Sequence, residues 1–292
     1  MLVIGDIHLS KKLPHSKTNA NGINDRLEFR LNLLKRTLDK HPLETVVFLG
    51  DVVDVPDVCD AYIVERFYDI IKERKVIHVA GNHDATNMPG TSSIGKLASG
   101  IFPNYKFVIE GEMIDGCYYS PYHDTDENIR KYARNVVFGH WNFYIHQQGN
   151  GRRLEPDNKI LYILGHIHTP CNPYKNVRHI GCLSPSKFGE RQGYYLVGDQ
   201  AHYYEDGERF IEDSYEKDII REPNTFYRIK FDPLKDDPTT TEGVYLIPIV
   251  AKEEKHQIKT QGEEEVINQV AEEKGYRNVY STHLRVREEL IV

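Results

Sequence analysis

No apolar run in this 292-residue chain approaches the roughly 20 residues that a membrane-spanning helix needs, so no membrane role is expected. Cysteine is scarce. Cys59, Cys117, Cys171 and Cys182 form no CxxC pair and read as reduced thiols rather than zinc ligands or a disulfide frame, which points to a cytoplasmic protein. Only Met1 to Ile4 precede the first polar motif, so no cleavable signal peptide is expected in front of it. There is no low-complexity tract and no internal repeat. Positive charge is in deficit: the net charge of −7 argues against a dedicated nucleic-acid coat. A nuclease remains open, because metals and a local basic rim can hold a phosphate chain on an acidic protein. What is present, 39% hydrophobic and 28% charged residues, suits a globular chain of one or two domains.

The recurring feature is an apolar run that ends on glycine and then a metal-type ligand. Val46-Val47-Phe48-Leu49 leads into Gly50-Asp51-Val52-Val53-Asp54. Leu2-Val3-Ile4 leads into Gly5-Asp6-Ile7-His8, and Val76 to Ala80 into Gly81-Asn82-His83-Asp84. Val136-Val137-Phe138 leads into Gly139-His140, and Ile160 to Leu164 into Gly165-His166-Ile167-His168. Short runs rich in β-branched residues predict buried strands. If the strands share one sheet, their carboxyl ends bring the polar side chains to one crevice. Asp6, His8, Asp51, Asn82, His140, His166 and His168 supply seven oxygen or nitrogen donors, more than one ion needs. They suit two ions bridged by one carboxylate, with Asp51 the bridge, and a two-ion clamp is the usual device for phosphate ester displacement.

Between these strands, Leu27, Leu31, Leu34 and Leu38 predict a helix over Asn24 to His41, capped by Asn24 or Asp25. Asp60 caps a second, with Ile63, Phe67, Ile70 and Ile71 on one face. The alternation predicts an α/β layered domain. Ala85 to Gly100 reads as mostly loop with one short helix. Lys106 to Ile109 and Gly116 to Ser120 read as strands of a second sheet, Thr125 to Arg134 as a helix, and Asn142 to Asn158 as a polar loop. Tyr194 to Val197 reads as a strand closing the first sheet system. Beyond about Gln200 the chain is acidic and irregular. Asp232 to Glu242 reads as a linker. Val244 to Val250, Glu263 to Lys274 and Val279 to Val286 then read as strand, helix and strand. The expected division is a catalytic domain over 1–200 and a βαβ-like accessory region over 201–292. Lys11, Lys12, Arg152, Arg153, Lys187 and Arg191 are the candidate rim for phosphate.

The motif set Asp6-x-His8, Gly50-Asp51-x-x-Asp54, Gly81-Asn82-His83-Asp84, Gly139-His140 and Gly165-His166-x-His168 resembles that of the calcineurin-like metallophosphoesterases. The resemblance spans about the first 170 residues. It implies two packed β-sheets flanked by helices, an α/β sandwich followed here by a small cap region. It also implies that Asp6, His8, Asp51 and His168 hold one ion and Asp51, Asn82, His140 and His166 the other. Two divalent ions are expected, Mn²⁺ first, with Fe, Zn or Mg as alternatives. Gly139-His140-Trp141, Leu154 to Asp157 and Val177 to Val197 are similar to the Mre11/SbcD nucleases, and among them to compact phage recombination endonuclease subunits, for which the compartment would be the host cytoplasm. Gly181-Cys182-Leu183-Ser184-Pro185 departs from that branch's Gly-Ser-Pro element. The branch implies DNA as substrate, an SMC-like ATPase partner of the Rad50/SbcC type, and a homodimer. The protein phosphatase branch fits less well: Leu9 follows His8 where it has Gly, and Val55-Pro56 follows Asp54 where it has Arg-Gly.

The expected reaction is in-line attack on phosphorus by a hydroxide generated at the ions. His83, beside a ligand but not needed as one, is the expected general acid. Asp84 is expected to orient its ring, and Asp54 to buttress a ligand histidine. His123, His146, His179 and His202 have no motif context. The alternative reading is a phosphoesterase acting on cyclic nucleotides or phosphomonoesters.

Overall fold

Alternate residues of each motif strand serve different cores, which is what places two sheets face to face. The structure is a computed structural model and describes residues 1–20, 22–55, 60–84, 94–143, 151–205, 207–214, 224–231 and 244–248. In β1 (Leu2–Ile4), Leu2 and Ile4 face one cluster and Val3 another. In β2 (Val46–Phe48), Val46 and Phe48 join the first cluster and Val47 the second. The period of two along a strand produces this split. The outward cluster is covered by α1 (Asp25–Lys40), α2 (Ala61–Ile71) and α3 (Ile94–Ile101).

Helix α1 begins where the sequence places a cap: the Asn24 side chain accepts from the Leu27 N–H at 3.0 Å. Its Leu27, Leu31, Leu34 and Leu38 are buried to 0% exposure, each worth about 1.5–3 kcal/mol of transfer free energy. Asp60 caps α2 by accepting from the N–H groups of Tyr62 and Ile63.

The first sheet adds β3 (Val76–Val79), β4 (Tyr105–Val108), β11 (Tyr194–Val197) and β12 (Gln200–Tyr203), in the order β12-β11-β1-β2-β3-β4. Strands β1 to β4 are parallel, and β11 closes the sheet antiparallel to β1, as the sequence predicts for Tyr194 to Val197. The second sheet holds β5 (Glu112–Ile114), β6 (Cys117–Ser120), β7 (Val136–Gly139), β8 (Leu161–Leu164), β9 (Cys171–Tyr174) and β10 (Val177–His179), in the order β5-β6-β7-β8-β10-β9. Helix α4 (Asp126–Tyr132), capped by Thr125, packs through Ile129 on its outer face with Tyr118, Val137 and Tyr162. Between the sheets, Val3, Val47, Ile77 and Val79 of the first meet Tyr119, Phe138 and Ile163 of the second.

Two expectations need correction. The five motif strands do not share a sheet: β1, β2 and β3 lie in the first, β7 and β8 in the second. The crevice therefore forms where the carboxyl ends of two facing sheets meet. Lys106 to Ile109 likewise joins the first sheet, as its parallel edge strand β4, because Val108 packs inward with Val79.

The chain divides into two units: Met1–Phe210 with Pro223–Phe226, and Ile211–Glu222 with Tyr227–Val292. The first runs about ten residues beyond residue 200, because β12 still pairs with β11 and Glu208 and Phe210 pack within the unit. The stretch after Gln200 is more regular than its acidity suggests, with β13 (Arg209–Ser214), β14 (Thr225–Phe231) and β15 (Val244–Pro248) in one three-stranded sheet. The expected linker at 232–242, helix at 263–274 and strand at 279–286 lie outside the described residues. So do His146 and Cys59. Cys117, Cys171 and Cys182 are free thiols, and no described helix is long and apolar enough to cross a membrane.

Candidate metal centre

The seven predicted donors converge. Asp6 and His8 follow β1, Asp51 follows β2, and Asn82 follows β3, all leaving the first sheet. His140 follows β7, and His166 and His168 follow β8, leaving the second. His8 Nε2 lies 3.0 Å from His168 Nε2 and 3.6 Å from Asp51 Oδ2. His168 Nε2 and His8 Nε2 lie 3.8 and 3.9 Å from Asp6 Oδ1. His140 Nε2 lies 3.2 Å from Asp51 Oδ2 and 3.1 Å from Asn82 Oδ1, which is also 3.1 Å from His166 Nδ1. Asp51 thus faces both His8 and His140 through one oxygen, as a bridging carboxylate would.

The approach is close enough to require glycine. A Cβ on Gly50, whose φ is +103°, would stand 2.3 Å from His140 Nδ1, and one on Gly81 would stand 2.1 Å from Asp51 Oδ1. Three donors carry left-handed backbone that is strained for a residue with a side chain: His8 (φ 51°), Asp51 (φ 50°) and His166 (φ 72°). Each is pinned. The His8 N–H donates to Asp51 O at 2.9 Å, and the His8 carbonyl accepts from Arg30 Nη1 at 2.8 Å. The Asp51 N–H donates to Asp84 Oδ2 at 2.6 Å, and the His166 N–H donates to Asp6 at 3.1 Å.

The donor set fits a metal ion. His140 anchors Nδ1 on the Leu49 carbonyl at 2.6 Å, which turns Nε2 to the centre. The Nδ1 atoms of His8 and His168 face carboxylate oxygens, Asp54 Oδ1 at 3.4 Å and Glu190 Oε1 at 2.7 Å. Glu190 draws the His168 ring N–H outward, so the His168 Nε2 lone pair faces His8 Nε2 beside two buried carboxylates. A cation is what such a cluster requires, and Asp6-His8-His168, Asp6-Asp51-His140 and His8-Asp54-His83 each offer ligand atoms within 4.8 Å of one another. The same field governs proton affinity. Burial opposes a charge on His140, but Asp51 and Asp6 outweigh it and lift the ring to about 10. His166, buried and beside His140, falls to about 4. Burial pushes the Asp6 carboxyl above the usual range, whereas for Asp51 the neighbouring His140 overcomes burial and holds it below.

His83 sits at the edge of this cluster, its ring 5.0 Å from that of His8. The His83 main-chain N–H donates to Asp51 Oδ1 at 2.8 Å, and ring Nδ1 lies 2.5 Å from the Asp54 carbonyl oxygen. Here the expectation for Asp84 needs correction. Its carboxylate accepts from the N–H groups of Asp51, Val52 and Gly81 and faces His78 Nε2 at 3.0 Å. Both oxygens are spent on tying the β2 and β3 turns together, and the main-chain oxygen of Asp54 orients the His83 ring instead. His179 is a core residue whose Nδ1 donates to the Gly165 carbonyl at 3.1 Å.

The candidate rim divides. Arg152 is committed elsewhere: it pairs with Asp126 Oδ1 at 3.0 Å, donates to the Tyr122 carbonyl at 2.7 Å and lies over Trp141. Lys11 pairs with Asp60 at 2.6 Å. Lys12, Arg153, Lys187 and Arg191 are exposed. Lys187 Nζ lies 3.9 Å from Glu190 Oε1, and the Arg191 N–H donates to Thr169 Oγ1, beside His168. Sequence reasoning gave no role to Glu190, Arg30 or His78. Glu190 stands 22 residues after His168 with no motif to flag it, and Arg30 reads as the polar face of a helix.

The Pseudomonas putida nuclease MPE crystal structure is similar at 15% identity and a TM-score of 0.37, covering 68% of this chain and 84% of that one. The comparison with curated proteins finds no match. The family model of the calcineurin-like phosphoesterases matches residues 1–203, the stretch that carries every donor described above. The family uses divalent metals, and a match over more than half of the chain settles the membership: this protein belongs to the calcineurin-like phosphoesterases.

Proposed function

We propose that the chain is a two-metal phosphodiesterase that acts as a DNA nuclease of the Mre11/SbcD type, with His83 as general acid. The observation that carries the reading is the convergence of seven donors around Asp51, with His83 Nδ1 held on the Asp54 carbonyl at its edge. Divalent ions, Mn²⁺ first among them, would neutralise the phosphoryl oxygens there and make a water nucleophilic near neutral pH. Asp6, His8, Asp51 and His168 would hold one ion, and Asp51, Asn82, His140 and His166 the other. As the phosphorus–oxygen bond to the leaving group breaks, the departing alkoxide takes a proton from His83 Nε2. The Asp54 carbonyl keeps the other ring N–H in place, so the ring presents one nitrogen and one orientation. Lys12, Lys187, Arg191 and Arg153, exposed and with Lys187 and Arg191 near His168, support a phosphate chain over a small ester. An SMC-like ATPase partner of the Rad50/SbcC type and a homodimer belong to the same proposal, on the resemblance alone.

The test is metal-stripped protein resupplied with Mn²⁺, Mg²⁺ or Zn²⁺ and offered linear duplex DNA, single-stranded DNA and bis(p-nitrophenyl) phosphate. Mn²⁺-dependent release of nucleotides is expected, falling about 10²–10⁴-fold in His83→Ala, the usual contribution of a general acid. Cleavage of the small diester with both DNAs left intact would sink the nuclease reading and favour a small-substrate esterase.

A further inference from the structure

The imidazoles of the centre are not held alike. His140 rests on a backbone carbonyl, that of Leu49 just past the end of β2. His168 rests on a side chain: its Nδ1 lies 2.7 Å from Glu190 Oε1. The other oxygen of Glu190, Oε2, accepts from the N–H groups of Ser186 at 2.7 Å and Lys187 at 3.3 Å. That turn is gripped from behind by the buried Arg30, whose Nη2 donates to the Ser184 and Pro185 carbonyls and to Ser186 Oγ at 3.2, 3.0 and 3.0 Å. Arg30 Nη1 donates to the carbonyls of Ile7 and His8 at 3.1 and 2.8 Å. A continuous path of hydrogen bonds therefore runs from His168 through Glu190, the 184–186 turn and Arg30 to His8. It starts at the His168 ring and ends on the His8 main-chain carbonyl, and the Nε2 atoms of these two residues lie 3.0 Å apart.

We infer that Glu190 is the positioning residue of His168: its carboxylate holds the ring N–H at Nδ1, leaves Nε2 bare toward Asp6 and His8, and so sets the metal affinity of that site without touching the other. The inference rests on the metal-binding part of the proposed function and not on DNA as substrate. Outer carboxylate partners of this kind orient metal-ligating histidines and raise their basicity, and removing one typically costs about 10–100-fold in metal affinity. The two roles of Glu190 are separable by atom. In Glu190→Gln the amide oxygen still accepts from Ser186 and Lys187, but the NH₂ then faces His168 Nδ1 and donates to it. The ring proton is driven to Nε2, where it blocks coordination.

The experiment is Mn²⁺ titration calorimetry on the full chain, with Glu190→Gln, His168→Gln and the double variant beside the wild type. Glu190→Gln is expected to weaken one of two Mn²⁺ sites about 10–100-fold and leave the second unchanged. In the His168→Gln background the same substitution should have no further effect, because it acts through that ring. Wild-type affinity at both sites, equal loss at both, or a further loss in the double variant would overturn the inference. A measurement free of variants runs alongside: histidine ring nitrogen NMR of the Zn²⁺-loaded wild type should show His168 bound through Nε2 with its proton on Nδ1. A ring bound through Nδ1, or left unbound, overturns the inference even if Glu190→Gln fails to fold. None of these readouts uses a phosphate ester, so loss of DNA cleavage with both metal sites intact would count against the proposed function alone.

Discussion

Asp84 shows how a residue two positions from a converging donor can serve the scaffold. It is fully buried and accepts from three backbone N–H groups and faces His78. Burial alone would raise its pKa, but His78 and the Gly81 N–H outweigh that, so the folded value lies below the usual carboxylate range. A depressed folded pKa contributes stability that is present above the unfolded value of about 3.9 and lost as pH falls through the folded one. Asp84→Asn is therefore expected to cost roughly 3 kcal/mol in urea denaturation at neutral pH, since an amide cannot accept at both of its ends. The variant's stability should also fall less steeply than the wild type's on acidification below pH about 4.

At the scale of elements, the turns that leave the strands do more than end them. The turn after β2 carries Gly50 and Asp51, and it passes so close to the turn after β7 that His140 bonds the Leu49 carbonyl. Gly50→Ala would place a methyl 2.3 Å from His140 Nδ1 and ask alanine for a φ of +103°. The expected result is a loss of about 1–3 kcal/mol in thermal unfolding from backbone strain. Mn²⁺ affinity at the His140 site should drop by about 10-fold or more, read by calorimetry. If Mn²⁺ binding were untouched, the packing of the two turns would not be what orients His140. Helix α1 contributes in the same manner: its leucines face the core, and Arg30 reaches through to the His8 carbonyl.

At the scale of the whole molecule, the first unit is tied together by contacts far apart in sequence. Arg26 of α1 makes a bidentate pair with Glu208, Nε to Oε1 at 2.6 Å and Nη2 to Oε2 at 2.7 Å. Ser184 Oγ also bonds Glu208 Oε2, and the guanidinium lies 5.1 Å from the rings of Phe210 and Phe226. All of Glu208, Phe210 and Phe226 lie past the stretch that the family model matches. Removing one partner of a buried ion pair leaves the other charge uncompensated, so Glu208→Ala in the full chain should cost about 3–5 kcal/mol in denaturant titration. An effect under 1 kcal/mol would mean that water reaches Arg26 after all. Metal binding should report on the same unit: at 100 times the dissociation constant a bound ion adds about 2.7 kcal/mol. Chelation is therefore expected to lower the melting temperature, and excess Mn²⁺ to restore it.

The seven donors that converge were legible in the sequence because each sits at or just past the point where an apolar run stops on glycine, a local pattern that needs no knowledge of the fold. Helices α1 and α2 were legible for the same kind of reason, through leucine spacing and the Asn24 and Asp60 caps. Sheet membership was not. Val76 to Val79 and Val136 to Gly139 are both short apolar runs, and only side-chain packing across the sandwich assigns them to different sheets. The partners of the converging donors were equally hidden. Glu190 reaches His168 across 22 residues, Arg30 reaches Ser184 across 154, and the Asp54 carbonyl takes the place at His83 that sequence reasoning gave to Asp84. The sequence by itself determined which atoms can bind a metal ion, because donor chemistry belongs to the side chain. Only the tertiary structure decided which way each donor points, because orientation is imposed by hydrogen-bond partners that the chain brings in from far away.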